Sequence, residues 1–222
     1  MKTYLIHKTS TVPAWDFAWD GPIWSQAQTA IIDQPAAPLK ASVPITQARL
    51  LHDDANIYGV FRVLDHSILA RQTQYNSWTC FDSCVEFFFR PNREGGYFNL
   101  EMSASGAHLL YYVRDWTPVG DYYADFTAIH EADGRLFESR SSLTEPVPNE
   151  CRGDLTWFVQ FKVPLVIAEK YCGPIGAFSN QRWTGNFYKC GDQLCPPHWL
   201  AWAPVPTLNF HLPEHFGELH LE

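Results

Sequence analysis

The chain has 222 residues, 46% of them hydrophobic and 15% aromatic, with nine tryptophans; this excludes a disordered chain and is enough for a substantial core, in one large β domain or two small ones. Its net charge of −8 leaves no basic stripe to neutralise phosphates, so no nucleic-acid partner is expected. No apolar run approaches the roughly 20 residues with which a helix crosses a bilayer, and no membrane partner is expected either.

The opening residues, Met1 to Ser10, lack the apolar core of roughly 7–15 residues that a signal peptide needs, so the expected compartment is the cytoplasm, or the outside of the cell if the chain is a mature segment. A first strand is predicted near Tyr4–Lys8. Trp15, Trp19 and Trp24 follow among Asp, Gly and Pro, a composition suited to an irregular cover over a sheet. Pro35–Pro44 reads as a connector.

Gln47–His52 and Ile57–Asp65 are β-prone runs separated by Asp53, Asp54, Ala55 and Asn56, which predicts a hairpin. A second hairpin follows in Trp78–Met102, where two aromatic runs flank a loop ending in Gly95 and Gly96. Side chains alternate across a strand, so Val85, Phe87 and Phe89 share one face with Phe98, Leu100 and Met102 of the returning strand. If Arg90 pairs near Tyr97, Phe88 lies opposite Asn99 and Glu86 opposite Glu101. Two directly opposed carboxylates repel unless a proton, a cation or a hydrogen-bonding ligand lies between them.

Further strands are expected at Ala107–Arg114, Arg135–Leu143, Thr156–Val163, Phe178–Lys189 and Glu218–Glu222, with Asp115–Phe126 lacking clear periodicity. Only Leu165–Tyr171 has a helical pattern. Short strands at regular spacing with almost no helix predict one antiparallel β-sandwich spanning residues 1–222. The six cysteines are expected as buried free thiols. The pairs Cys80/Cys84 and Cys190/Cys195 lack the tight spacing of a structural zinc site.

Trp183 stands among Asn180, Gln181, Arg182, Asn186 and Lys189, an aromatic face among amide and cationic donors. Sugars need this combination, because their C–H faces stack on rings while their hydroxyls require fixed polar partners. Trp78 is the candidate for an opposing wall. The competing reading is that both tryptophans fill a core.

Leu50–Asp65, Asp82–Phe89 (Asp-Ser-Cys-Val-Glu-Phe-Phe-Phe), Gly96–Glu101, Gly185–Asp192 (Gly-Asn-Phe-Tyr-Lys-Cys-Gly-Asp) and Asn209–Gly217 together resemble a carbohydrate-binding module of family 9. The resemblance implies a β-sandwich related to DOMON-like folds, in a jelly-roll class, without catalytic activity, that grips the terminal sugar of a glucan- or xylan-type glycan between tryptophans. It also implies a role beside a glycoside hydrolase in polysaccharide degradation. The site residues it implies are Trp78, Glu86, Asn99, Glu101, Gln160, Asn180 and Trp183, with Asn186 and Lys189 as further donors. Some modules of this kind carry structural calcium, for which Asp53, Asp54, Asn56 and Asp65 are the candidates. His198, His211, His215 and His220 are expected to be packed in coil rather than to ligate metal. A monomer is expected.

Three other readings stay open on the sequence: a glycoside hydrolase using Glu86 and Glu101, a haem carrier using Met102 and a histidine, and a purely structural domain.

Overall fold

Alternation of apolar and polar residues sets the architecture. The structure, a computed structural model, describes residues 1–40 and 42–222; Ala41, inside the predicted connector Pro35–Pro44, lies outside the described residues. The strands are β1 (Thr3–Lys8), β2 (Thr29–Ile32), β3 (Gln34–Pro35), β4 (Ile45–His52), β5 (Asn56–Ala70), β6 (Cys84–Arg90), β7 (Tyr97–Ser103), β8 (His108–Val119) and β9 (Tyr122–Ala128). After the short helix α1 (Glu131–Gly134) come β10 (Ser139–Ser141), β11 (Val147–Pro164), helix α2 (Leu165–Cys172), β12 (Arg182–Gly191), β13 (His198–Ala201) and β14 (Gly217–Leu221).

The main path of pairing runs β10-β11-β5-β4-β1-β14-β12-β6-β7-β8-β9. Strand β1 joins the two layers, pairing parallel to β14 through Thr3–Ile6 and parallel to β4 through His7 and Lys8. The other pairings are antiparallel, as the hairpins require. Phe87 and Phe187 of one layer meet Phe61 and Phe161 of the other: Phe61 lies 6.2 Å from Phe187 and Phe87 5.8 Å from Phe161. These rings sit at the centre of a core that also takes Val85, Phe89, Phe98, Leu100 and Met102. The fold is an all-β sandwich.

The β6–β7 hairpin has the register read from its alternation, with Phe88 opposite Asn99 and Glu86 opposite Glu101. The predicted hairpin at Asp53–Asn56 also forms, its Asp53 amide donating to the Asn56 carbonyl at 3.2 Å. Several segments differ from expectation, and of the strand expected at Phe178–Lys189 the first four residues precede β12 without joining it. Arg135–Leu143 contributes only the short β10, because the turn that follows α1 occupies the start of that run. Asp115–Phe126 is not irregular but forms most of the β8–β9 hairpin; register shifts between Val113 and Asp115 and between Asp115 and Pro118 break its alternation.

The outer face of the β4–β5 layer is closed. Trp19 of the N-terminal segment lies between two guanidinium groups, Arg49 at 4.2 Å and Arg62 at 4.6 Å from its ring, and packs over Tyr58 and Val60. Gln160 fastens the same cover, its amide donating to the Ala14 carbonyl at 2.7 Å and accepting from the Phe17 amide at 3.3 Å.

On the inner face, Gly59 lets β5 and β11 bring Phe161 close. A Cβ at this position would fall 2.1 Å from the Phe161 ring and 2.8 Å from Leu50. Gly59→Ala should therefore destabilise the fold by about 1–3 kcal/mol through overpacking, measured by chemical denaturation; an unchanged midpoint would mean that the ring contact is not formed as described.

Candidate functional site

On the outer face of the β12-β6-β7-β8 layer, every second residue points away from the sandwich core. Cys84, Glu86 and Phe88 of β6 thus stand beside Asn186, Tyr188 and Cys190 of β12 and Asn99 and Glu101 of β7. A cavity of about 480 Å³ opens above this surface, within the size range of small-molecule sites. Glu86 and Glu101 form part of its floor. Trp78, Trp116, Tyr122, Tyr123 and Trp199 are among its walls, and Phe210 and His211 close it from the coil before β14.

The floor is polar and almost dry. Glu86 is 2% and Glu101 6% exposed. Glu101 accepts from Asn99 Nδ2 at 3.0 Å and from Thr79 Oγ1 at 3.3 Å, while Cys190 Sγ donates to Glu86 Oε1 at 3.1 Å. Burial, and for Glu86 the neighbouring Glu101 charge, pushes both carboxyls above the usual carboxylate range, Glu101 up to about 7 and Glu86 well above its ordinary value. Both shifts favour the neutral carboxyl, because the buried, opposed pair resists carrying two charges. Asn99 Oδ1 is buried and has no hydrogen-bond partner among the described residues.

The walls are aromatic. Trp78 precedes a short turn at Thr79–Phe81, remains 37% exposed, and lies 5.9 Å from Phe81 and 5.6 Å from Tyr122. Tyr122 stacks on Phe126 at 5.5 Å with an interplanar angle of 4°, so the β8–β9 hairpin extends the row. Tyr123 and Tyr97 both reach His211 Nδ1, at 3.2 and 2.9 Å, and burial pushes the His211 ring below its ordinary pKa, keeping it neutral. Trp199 Nε1 donates to Asp192 Oδ1 at 2.7 Å at another part of the wall.

Four of the sequence-predicted residues meet at this place: Trp78, Glu86 and Glu101 at the cavity, and Asn99 just behind it. The other five do not line it. Trp183 is fully buried between the layers, stacked on Phe89 at 6.0 Å and met edge-on by Phe178 at 5.9 Å, with its Nε1 donating to Gln181 at 2.7 Å. Its polar neighbours satisfy a core indole and do not frame an open ring. Asn180 is an exposed residue with φ of 67° in the turn before β12. Gln160 lies on the other layer, under the N-terminal cover.

Asn186 is on the right face, but its amide is committed to Tyr188 Oη at 3.0 Å, the Ala203 carbonyl at 2.9 Å and the Ala203 amide at 2.8 Å. Lys189 points the opposite way, into the interior, where its Nζ lies 2.9 Å from His198 Nε2, 3.8 Å from Asp65 and 5.7 Å from the Trp157 ring centroid.

The acidic candidates for calcium do not converge. Asp53 accepts from the Ala55 and Asn56 amides and from Tyr58 Oη, and Asp54 pairs with Lys8. Asp65 is at the far part of β5, roughly 30 Å along an extended strand, where it accepts from Trp157 Nε1. Met102, the methionine available to a haem, is buried in the core on the face opposite the cavity. Sequence reasoning missed Trp116, Tyr122, Tyr123, Trp199 and His211. The β8–β9 hairpin brings Trp116, Tyr122 and Tyr123 to the cavity, while β13 brings Trp199 and the coil before β14 brings His211, placements that are not local in sequence.

A profile of carbohydrate-binding family 9 matches residues 25–221, nearly the whole chain. The chain belongs to carbohydrate-binding family 9. Modules of this family bind carbohydrate without catalysing its breakdown. Among solved structures, a candidate carbohydrate-binding protein from Bacteroides uniformis is similar over 100% of this chain and 99% of its own, with a TM-score of 0.85 at 24% identity. A family 9 module from Caldicellulosiruptor kristjanssonii in complex with cellotriose is similar with a TM-score of 0.59 at 15% identity, over 100% of this chain and 94% of its own. A family 9 module from the same organism in complex with glucose gives 0.59 at 16%, over 100% and 96%. At these identities the likeness is one of fold. No curated protein matches the chain significantly.

If Trp183 is core, as its packing says, Trp183→Ala should cost about 3–5 kcal/mol of stability in chemical denaturation. A variant as stable as the parent would return Trp183 to the candidates for an open ring.

Proposed function

We propose that the cavity above β6 and β7 binds the terminal sugar of a glucan- or xylan-type glycan without catalysis. The observation that carries this reading is the meeting of two opposed carboxyls, Glu86 and Glu101, with a wall of partly exposed aromatic rings in one cavity. Hydroxyls need acceptors and donors held at fixed positions, and the less polar faces of a pyranose gain from stacking on rings. Asn99 Oδ1, buried and unpartnered among the described residues, is a further acceptor near the floor. The stacking surface on this reading is Trp78 with Tyr122 on one side, and Trp116 or Trp199 takes the part that the sequence pattern suggests for Trp183. The family 9 modules that carry cellotriose or glucose make β-glucan fragments the first ligands to try.

The disposition of the two glutamates favours binding over hydrolysis. They are directly opposed on adjacent strands of one sheet face, so both approach a ligand from below, whereas hydrolytic carboxyls flank the bond that is cleaved. A place beside a glycoside hydrolase, presenting a polysaccharide chain to it, fits a module that holds sugar and leaves it intact.

Titration calorimetry with glucose, xylose, cellotriose and a xylo-oligosaccharide tests the reading. Trp78→Ala should weaken binding of the best ligand at least about tenfold, corresponding to the loss of roughly 1.4 kcal/mol or more of stacking, while leaving the unfolding midpoint close to the parent's. Equal affinity in parent and variant would remove Trp78 from the site, and heat from none of the four ligands in the parent would overturn the proposal.

A further inference from the structure

Beneath the proposed sugar position the strands gather two thiols and a carboxyl from distant parts of the chain. Cys84 of β6 and Cys190 of β12 are directly opposed in the strand register, and Glu86 follows Cys84 by two residues on the same face. Their Sγ and carboxylate oxygen atoms all lie within 4.8 Å of one another, and each residue is at most 2% exposed. Glu86 and Cys190 also line the cavity, so an ion has a route in from solvent.

We propose that Cys84, Glu86 and Cys190 form a binding site for a thiophilic divalent metal ion, zinc in the first instance, with the fourth coordination position open to the cavity. Tetrahedral zinc with Zn–S bonds of about 2.3 Å sets its thiolates roughly 3.8 Å apart and a thiolate and carboxylate oxygen roughly 3.5 Å apart, separations that donors within 4.8 Å of one another reach by small shifts, the Cys190–Glu86 pair opening slightly from 3.1 Å. Two thiolates and a carboxylate supply three protein ligands of the right softness, and a water or a sugar hydroxyl can complete the set.

A cation in the cluster would relieve the opposition of the two carboxyls, a part that a proton otherwise takes. Glu86 faces Glu101 directly, and the Cys80 thiol is also on the cavity wall. The ammonium of Lys189, adjacent in sequence to Cys190, is turned to the opposite face, toward Asp65 and His198. Without a metal the Cys190 thiol directs its proton at Glu86 Oε1, at 3.1 Å. Binding would release the protons of Cys84 and Cys190 to solvent, leave any carboxyl proton of the pair on Glu101 or release it as well, and join both sulfurs and one Glu86 oxygen to the ion, with no change in the oxidation state of sulfur or metal. Glu101, held by Asn99 and Thr79, stays available to a sugar.

The site stands or falls without any sugar, so its test is run in sugar-free buffer on the full chain, reduced and stripped with a chelator. After loading with Zn²⁺ and dialysis, the parent should retain one zinc per chain, and Co²⁺ in its place should give a thiolate-to-cobalt charge-transfer band in the near ultraviolet. Cys84→Ser and Cys190→Ser should each weaken zinc binding at least about 100-fold, while Cys151→Ser and Cys195→Ser, which remove exposed thiols, should leave it unchanged. Should a buried-thiol variant fail to fold, alkylation of the parent with and without zinc, read by mass spectrometry, takes its place: zinc should protect Cys84 and Cys190 selectively. Zinc retained by the Cys84→Ser/Cys190→Ser double variant, equal alkylation with and without zinc, no zinc held by the reduced parent, or a Cys84–Cys190 disulfide that persists under the reducing conditions would each overturn the proposal.

Discussion

Everything that distinguishes the two faces of this sandwich depends on the register of β6 between β7 and β12. With Phe87 opposite Phe187 and Leu100, its odd-numbered residues enter the core and its even-numbered residues form the floor of the cavity. A slip by one residue would place Glu86 and Cys84 among the rings of the core and turn Val85, Phe87 and Phe89 to the outside. The cost of burying an unpaired carboxylate in apolar surroundings, on the order of several kcal/mol, makes that alternative inaccessible and holds the polar floor where it is.

The other layer shows why the proposed site is sought on this face. Its outer surface is already occupied by the N-terminal segment, clamped by Trp19 between Arg49 and Arg62 and tied down by Gln160. The outer face of the β6–β7 layer is covered over Phe88, Tyr97 and Tyr188, where Phe210 and Phe216 of the coil before β14 pack on it, and is open beyond them. The layer carries the β8–β9 hairpin, whose Tyr122 and Trp116 extend beyond the sheet and, together with coil residues Phe210 and His211, make walls without filling the space between them. The same departure from regular pairing that bends β8 thus produces a concave surface.

Alternation makes the β6–β7 hairpin legible in the sequence alone, down to the facing of Glu86 and Glu101, because side-chain direction in a strand is local. The orientation of β12 is not legible in that way. Trp183 keeps polar company, but Gln181 bonds its indole nitrogen and Asn180 merely turns the chain, so a polar neighbourhood in sequence marks a satisfied core residue and not an open ring. Lys189 misleads for a related reason: a buried lysine paired with Asp65 and His198 looks, in sequence, like any solvent-facing cation. The β8–β9 walls escape because Pro118 and two register shifts erase the period of 2. The proximity of Cys84 and Cys190 is a product of strand pairing between remote segments and leaves no trace in cysteine spacing.

The proposed carbohydrate site on β6 and β7, with Trp183 in the core, would make the nine tryptophans unequal reporters of binding. The most direct measurement is the set of indole N–H resonances in a two-dimensional nitrogen–proton spectrum, followed as cellotriose is added. Trp78, with Trp116 or Trp199, should shift in a saturable manner while Trp157 and Trp183 stay in place. Saturable shifts at Trp183 with none at Trp78 would contradict the placement of the site, and a spectrum unmoved by cellotriose, glucose and xylo-oligosaccharides alike would contradict carbohydrate binding by this cavity.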